Sequence, residues 1–272
     1  MVMSVNTNSS AMAALQSLSA TNRDLEDIQT RINTGLKIAG PKDDGAIFAI
    51  AQNMRGEIAG FEAVNTALNN SVSIVDVAIA AGTAISDLMI EMKEKAVAAL
   101  DRSLDTNSRN ALQNDFVALR DQITNITENA EFNGTNLIGR SALDMTVLAN
   151  PDGATITVTA QLMTATAINI ETATLSTATN AAIALSAIET AANDVNQKLG
   201  RLGTKGKSLE IHGIFVGKLI DSLKTGVGNL VDADLAEDSA NLQALQIKQQ
   251  LGLQTLAIAN AAPQNILQLF QG

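Results

Sequence analysis

Residues 185–230 read LSAIETAANDVNQKLGRLGTKGKSLEIHGIFVGKLIDSLKTGVGNL. Within them Leu185, Ile188, Ala192, Val195, Leu199, Leu202, Gly206, Leu209, Gly213, Val216, Ile220, Leu223, Val227 and Leu230 follow one another at alternating steps of three and four. Only the two glycines are not apolar. A mean step of 3.5 residues lays one apolar stripe along a helix, the pattern of a coiled-coil seam. The phase holds through Gly200, Gly203, Gly206 and Gly213, a cluster that in isolation reads as a turn. One long helix, weakened near residues 200–206, satisfies both observations.

The theme recurs upstream. Leu112, Phe116, Leu119, Ile123, Ile126 and Ala130 form a second ladder behind a helix start at Asp105-Thr106-Asn107-Ser108. Phe61, Val64, Leu68, Val72 and Val75 lead into Ile85, Met89, Met92, Ala96 and Ala99. A helix from about Ala46 to Asp101 would be roughly 80 Å long at 1.5 Å per residue. Rods of this kind cannot bury their stripes alone and must pack side by side.

Both ends of the chain are amphipathic as well. Leu15, Leu18, Leu25, Ile28 and Ile32 line an N-terminal helix that stops near Asn33-Thr34-Gly35, where glycine suits a left-handed cap. Leu235, Leu242, Leu245, Leu256, Ala259, Ile266 and Phe270 share a ladder at the other end, which Pro263 would bend or interrupt. Apolar ends of this kind invite pairing with each other or with neighbours. Between residues 141 and 177 the heptads vanish. Thr155-Ile156-Thr157-Val158-Thr159, after the turn-like Asn150-Pro151-Asp152-Gly153, predicts a short hairpin or sheet. The fold expected is mainly α: an elongated coiled-coil or helical bundle of long helices with a small β-hairpin insert.

Composition narrows the function. The 272 residues hold 18 Lys+Arg against 28 Asp+Glu, a net charge of −10, which disfavours nucleic acid as a partner. There is no Cys, so disulfides, thiol catalysis and thiolate metal sites are excluded. Aromatics are 2% and Ala is about one residue in six, a core of small side chains suited to close helix–helix approach. No unbroken apolar run of membrane-spanning length occurs, so no membrane insertion is expected. The N-terminus shows no cleavable secretory pattern. His212 is the only imidazole and reads as a bystander on a helix flank. Asp232-Ala233-Asp234 with Glu237-Asp238 reads as acids at a helix start rather than a cation site. Asp43-Asp44-Gly45 after Pro41 reads as a turn into the next helix. No catalytic, cofactor or metal residues are expected, and the class favoured is assembly.

Several motifs are more specific. Arg31-Ile32-Asn33-Thr34-Gly35-Leu36-Lys37-Ile38 with Lys42-Asp43-Asp44-Gly45-Ala46 resembles the N-terminal motif of bacterial flagellins. Glu131-Phe132-Asn133-Gly134-Thr135 is similar to the end of that family's N-terminal region. Residues 229–236, Gln249-Gln250-Leu251-Gly252, Ala257-Ile258-Ala259-Asn260 and Pro263-Gln264-Asn265-Ile266-Leu267 are similar to its C-terminus. The resemblance implies a secreted, non-enzymatic subunit that polymerises into the flagellar filament for motility. The terminal helices would be disordered in the free monomer and ordered in the polymer. The implied domains are 1–45 plus 234–272 as a terminal coiled-coil inner domain, 46–140 plus 178–233 as a long-helix bundle, and 141–177 as a short variable β-rich insert. Leu15, Leu18, Leu25, Ile28, Leu242, Leu245, Leu256 and Ile266 would form the inner coil. Arg31, Asn33, Gly35, Asp43 and Asp44 would form the spoke leading outward. Implied partners are further copies of the chain, alone or mixed with other flagellins, flagellar junction and cap proteins, and a chaperone of the flagellar type III export route. A hook–filament junction protein of the same family is the alternative.

Two departures stand out. The chain ends Leu269-Phe270-Gln271-Gly272, where the family commonly has a basic residue after two Leu. Across residues 90–97 the family's immune-receptor-binding stretch reads Q-R-V-R-E-L-A-V. Here Glu91 replaces the first Arg and Lys95 the Leu. Charge reversal at a contact leaves like charges facing one another. The vertebrate flagellin receptor is therefore expected to respond weakly; reporter-cell activation at the dose of a recognised flagellin would contradict this.

Overall fold

The computed structural model describes residues 7–270, with side-chain environments for residues 7–261. Five helices carry the chain: α1 (Ser9–Thr34), α2 (Gly45–Ala98), α3 (Thr106–Asn129), α4 (Ala178–Val231) and α5 (Leu235–Phe270). Two small antiparallel pairs lie between α3 and α4. They are β1 (Glu131–Phe132) with β2 (Thr135–Asn136), and β3 (Met145–Leu148) with β4 (Thr155–Val158). The chain divides into two compact units. One takes the described residues up to Gly56 and from Ser222 onward, and the other takes Glu57–Asp221.

The three/four ladder of α4 is the inward face of one continuous 54-residue helix. All fourteen seam positions are buried or half-buried, the glycines included. Gly206 serves close approach: a Cβ there would sit 3.1 Å from Val75 of α2. In the same seam a Cβ on Gly82 would meet Leu199 at 2.7 Å. α2 supplies Val64, Leu68, Val75, Ile85, Met89 and Met92 to this core, and α3 adds Phe116 and Ile123, each at most 2% exposed. The lysines at the margins pair outward, Lys93 with Glu189 at 2.8 Å and Lys95 with Asp115 at 3.0 Å.

α2 also corrects an expectation. It holds an 18-residue window of mean hydropathy 1.6, long and apolar enough by composition to cross a membrane. The sequence reading looked for an unbroken apolar run, whereas the average tolerates interrupting acids such as Asp76 and Asp87. Of that window, 39% is buried inside the chain, so core packing uses part of the apolarity.

The hairpin stands where the β-branched run predicted it. Met145 faces Val158 and Leu148 faces Thr155, and the connecting turn includes Gly153 at φ +95°. His212 Nε2 donates to the Ala149 carbonyl at 2.8 Å, tying the hairpin tip to α4. The rest of the 141–177 segment differs from a β reading. Residues 159–177 form an irregular strap with Met163, Ile170 and Leu175 fully buried. Gln161 N and Met163 N donate to the Leu137 and Ile138 carbonyls at 2.8 and 2.9 Å. Further along, Leu175 N donates to the Gln113 side chain, and Arg120 donates to the Glu171 carbonyl at 2.6 Å.

Phe116→Ala removes a ring with no exposure and is expected to cost about 3–5 kcal/mol. Ile183→Ala, at a 65% exposed position, should change stability by less than about 0.5 kcal/mol. Denaturant unfolding of both variants checks the contrast. The Ser108 backbone N–H, with its hydroxyl, holds the Asp105 carboxyl below its ordinary value of 3.8 at the start of α3. A lowered acid stabilises the fold fully above the ordinary value, and that contribution disappears as pH falls through the lowered one. Asp105→Ala should therefore flatten the acid limb of stability against pH, below about pH 4.

Candidate self-assembly site

The first unit is organised by α1 and α5, which pack antiparallel. Asn8 caps α1, its side-chain oxygen accepting from Ala11 N at 3.1 Å while its amide donates to the Ala259 carbonyl at 2.7 Å. Farther along, Gln249 donates to the Asn22 side chain at 2.8 Å. Between these two bonds Leu18 lies over Gly252, where an added Cβ would sit 3.2 Å from its methyl. The seam of α1 runs through Ala11, Ala14, Leu18, Thr21, Leu25, Ile28 and Ile32, all buried or half-buried. Its counterpart on α5 runs through Asp238, Leu242, Leu245, Gln249, Gly252, Leu256 and Ala259.

Of the residues expected in the inner coil, Leu18 and Leu245 are the most buried, each 9% exposed. Leu25, Ile28, Leu242 and Leu256 are half-buried along the same seam. Leu15 points elsewhere and is 57% exposed. Ala14 holds the seam position beside it, because a small side chain lets the helices approach. The Ile266 side chain lies outside the described residues. A second apolar set is left open on the pair: Met12 with Leu15 on α1, and Ile247, Leu251, Leu253 and Ile258 on α5, each more than half exposed.

The segment expected to form the spoke begins where α1 ends. Gly35 takes φ +71°, a left-handed cap, and its N–H donates to the Arg31 carbonyl at 2.8 Å. The emerging chain then bonds to the α4–α5 junction. Lys37 N donates to the Val231 carbonyl at 2.7 Å, and Ala233 N donates to the Gly35 carbonyl at 3.0 Å. The sequence reading missed this pairing, which leaves no periodic trace. Asp43 accepts from Ala39 N and Gly40 N at 2.9 and 3.0 Å, holding the turn. Asp44 accepts from Ala46 N and Ile47 N at 2.9 and 3.0 Å and so caps α2. Asp234 does the same for α5 through Ala236 N and Glu237 N. Arg31 is half-buried and Asn33 exposed. Arg31 lines a cleft of about 680 Å³ together with Asp27, Lys37, Lys42, Asp43 and Asp44. Among the described residues no three acidic or histidine side chains are grouped closely enough to hold a metal ion.

Residues 5–142 match the bacterial flagellin N-terminal helical region, and residues 185–270 match the bacterial flagellin C-terminal helical region. The chain belongs to the bacterial flagellin family. This flagellin is 51% identical over 269 residues to flagellin FljK and 50% identical over 270 residues to flagellin FljM, both of Caulobacter vibrioides. Each alignment covers 98% of both chains. A flagellin of Brucella melitensis is 34% identical over 282 residues, covering 99% of each. The crystal structure of Bacillus cereus flagellin shares the fold at a TM-score of 0.50 and 20% identity, over 54% of this chain and 85% of that one. A putative flagellar hook-associated protein from Vibrio parahaemolyticus shares it at 0.59 and 14% identity, over 70% of this chain and all of that one. At such identities the two structures speak to fold alone, so the second lends no weight to a junction role. The family is a structural one.

Gly252→Val places two methyls against Leu18 and is expected to pry α1 from α5. In assembled polymer, loss of far-UV helicity on warming should begin at a lower temperature for the variant than for the unmodified chain. An unchanged melt would contradict the seam placed here.

Proposed function

We propose that this flagellin builds the flagellar filament through the α1–α5 pair, and that further copies of the chain cover the apolar residues this pair leaves open on its outer sides. The observation that carries the reading is that exposed apolar set. Met12, Leu15, Ile247, Leu251, Leu253 and Ile258 are each more than half exposed. They lie on helices that have already spent one apolar face on each other. Burying such a side chain contributes about 1.5–3 kcal/mol, which offsets the entropy lost when the terminal helices become fixed. Polymerisation and ordering of the ends are then one event. Leu18, Leu25, Ile28, Leu242, Leu245 and Leu256 hold the pair together, and Leu15 belongs to the outward set. Gly35, Asp43 and Asp44 hold the turn between α1 and the start of α2, while the half-buried Arg31 and the exposed Asn33 stay within reach of a neighbour.

The finer parts of the reading are our inference, and likeness to other flagellins supports them. The polymer stands outside the cell, and the chain reaches it by the flagellar export route with a chaperone. Junction and cap proteins meet its ends, and the chain performs no catalysis.

Purified chain concentrated in a precipitating salt should form long tubes visible by electron microscopy. Removing residues 1–45 should abolish them while α3 and α4 keep their helicity. A truncated chain that still forms tubes would overturn the role given to the α1–α5 pair.

A further inference from the structure

Two exposed faces of the second unit match one another. On α2, Asp76, Ala80, Thr83 and Asp87 follow at steps of four, three and four, and all four are exposed. Glu91 and Glu94 extend the same face, and no Lys or Arg occurs between Glu57 and Glu91. On α4, Lys207, Ile211, Ile214 and Lys218 repeat those steps and are exposed too, Ile211 at 57% and Ile214 at 54%. Eleven residues make about three turns, so the charged ends of either quartet are about 16 Å apart. One helix presents acid, small, small, acid. The other presents base, large, large, base.

Neither quartet takes part in the packing of α2 on α4, which uses Val75 and Gly82 against Gly206 and Leu199. Lys207 meets Glu210 at 2.8 Å within its own helix, an exposed pair that contributes little and yields readily to a new partner. A merely solvated face has no need of acids and bases at one common spacing, nor of two isoleucines held open between lysines.

We propose that the two quartets are the halves of one contact between copies, which rests on the filament-subunit reading. The α4 ridge of one subunit lies along the α2 face of the next. Ile211 and Ile214 rest on Ala80 and Thr83, and Lys207 and Lys218 each oppose one of Asp76 and Asp87. The contact is heterologous, joining different faces of two copies, and such contacts propagate into open helical polymers when they do not close. Its charges fix register and exclude wrong partners more than they add affinity.

Charge exchange tests this. Asp76→Lys with Asp87→Lys should raise the critical concentration for polymerisation at least about tenfold, and Lys207→Glu with Lys218→Glu should do the same. Combining all four substitutions in one chain, or mixing the two double variants, should restore polymer, measured by sedimentation and electron microscopy. A helical melt like that of the unmodified chain controls for folding of each variant. Double variants that polymerise as well as the unmodified chain would overturn the contact and leave the filament reading intact. So would a fourfold variant that fails despite folding normally. An unmodified chain that never polymerises would overturn the filament reading itself, and the contact with it.

Discussion

A helix can present more than one apolar stripe, but a single partner hides only one. This constraint governs the terminal helices. α1 gives α5 the stripe through Leu18, Leu25 and Ile28, and α5 answers with Leu242, Leu245 and Leu256. Ile247, Leu251 and Ile258 then stand on the far side of α5, each more than half exposed among the described residues. An isolated soluble domain rarely leaves such a set exposed. The remainder of the first unit is arranged around that pair. Capping carboxylates at Asp44 and Asp234 start the next helices, and the short bonded crossing between residues 35–37 and 231–233 holds the junction.

The second unit solves the opposite problem, building a core almost without rings. The only large ring in its fully buried set is Phe116; the rest is Leu, Ile, Met, Val and Ala. Such a core gains from proximity, and the glycines of α2 and α4 provide it, Gly82 receiving Leu199 and Gly206 receiving Val75. Within the glycine cluster that suggested a weak point of α4, Gly206 is thus a position where the seam is tight, while Gly200 and Gly203 face open space. The hairpin is held separately, by His212 at its tip and by its own ladder. A lone histidine with no catalytic company is here a structural donor.

Much of this was legible because a helix writes its packing into sequence every three or four residues. The seam of α4, the ladder of α3 and the glycine cap of α1 all followed from that rule. Where contacts lack a period, the sequence is silent. The strap at residues 159–177 buries Met163, Ile170 and Leu175 through irregular bonds to α3 and its following loop, and no alternation announces it. The β1–β2 turn did carry a signal, Asn133-Gly134, whose positive φ angles of 50° and 78° suit a two-residue hairpin. Leu15 shows a different limit. Choosing the largest apolar residue for a seam overlooks that Ala14 permits closer contact. The outward stripe on α5 was visible as apolar residues, but only coordinates could say which of them the pairing leaves uncovered.

We infer that the α1–α5 pair is incompletely buried in one chain and is completed by others. Amide hydrogen exchange over residues 9–34 and 235–261, compared between dilute monomer and assembled polymer, tests it most directly. The account predicts that these residues exchange far faster than α3 and α4 in the monomer and become protected in the polymer. Protection of both segments in the monomer equal to that of α4, unchanged on assembly, would contradict it.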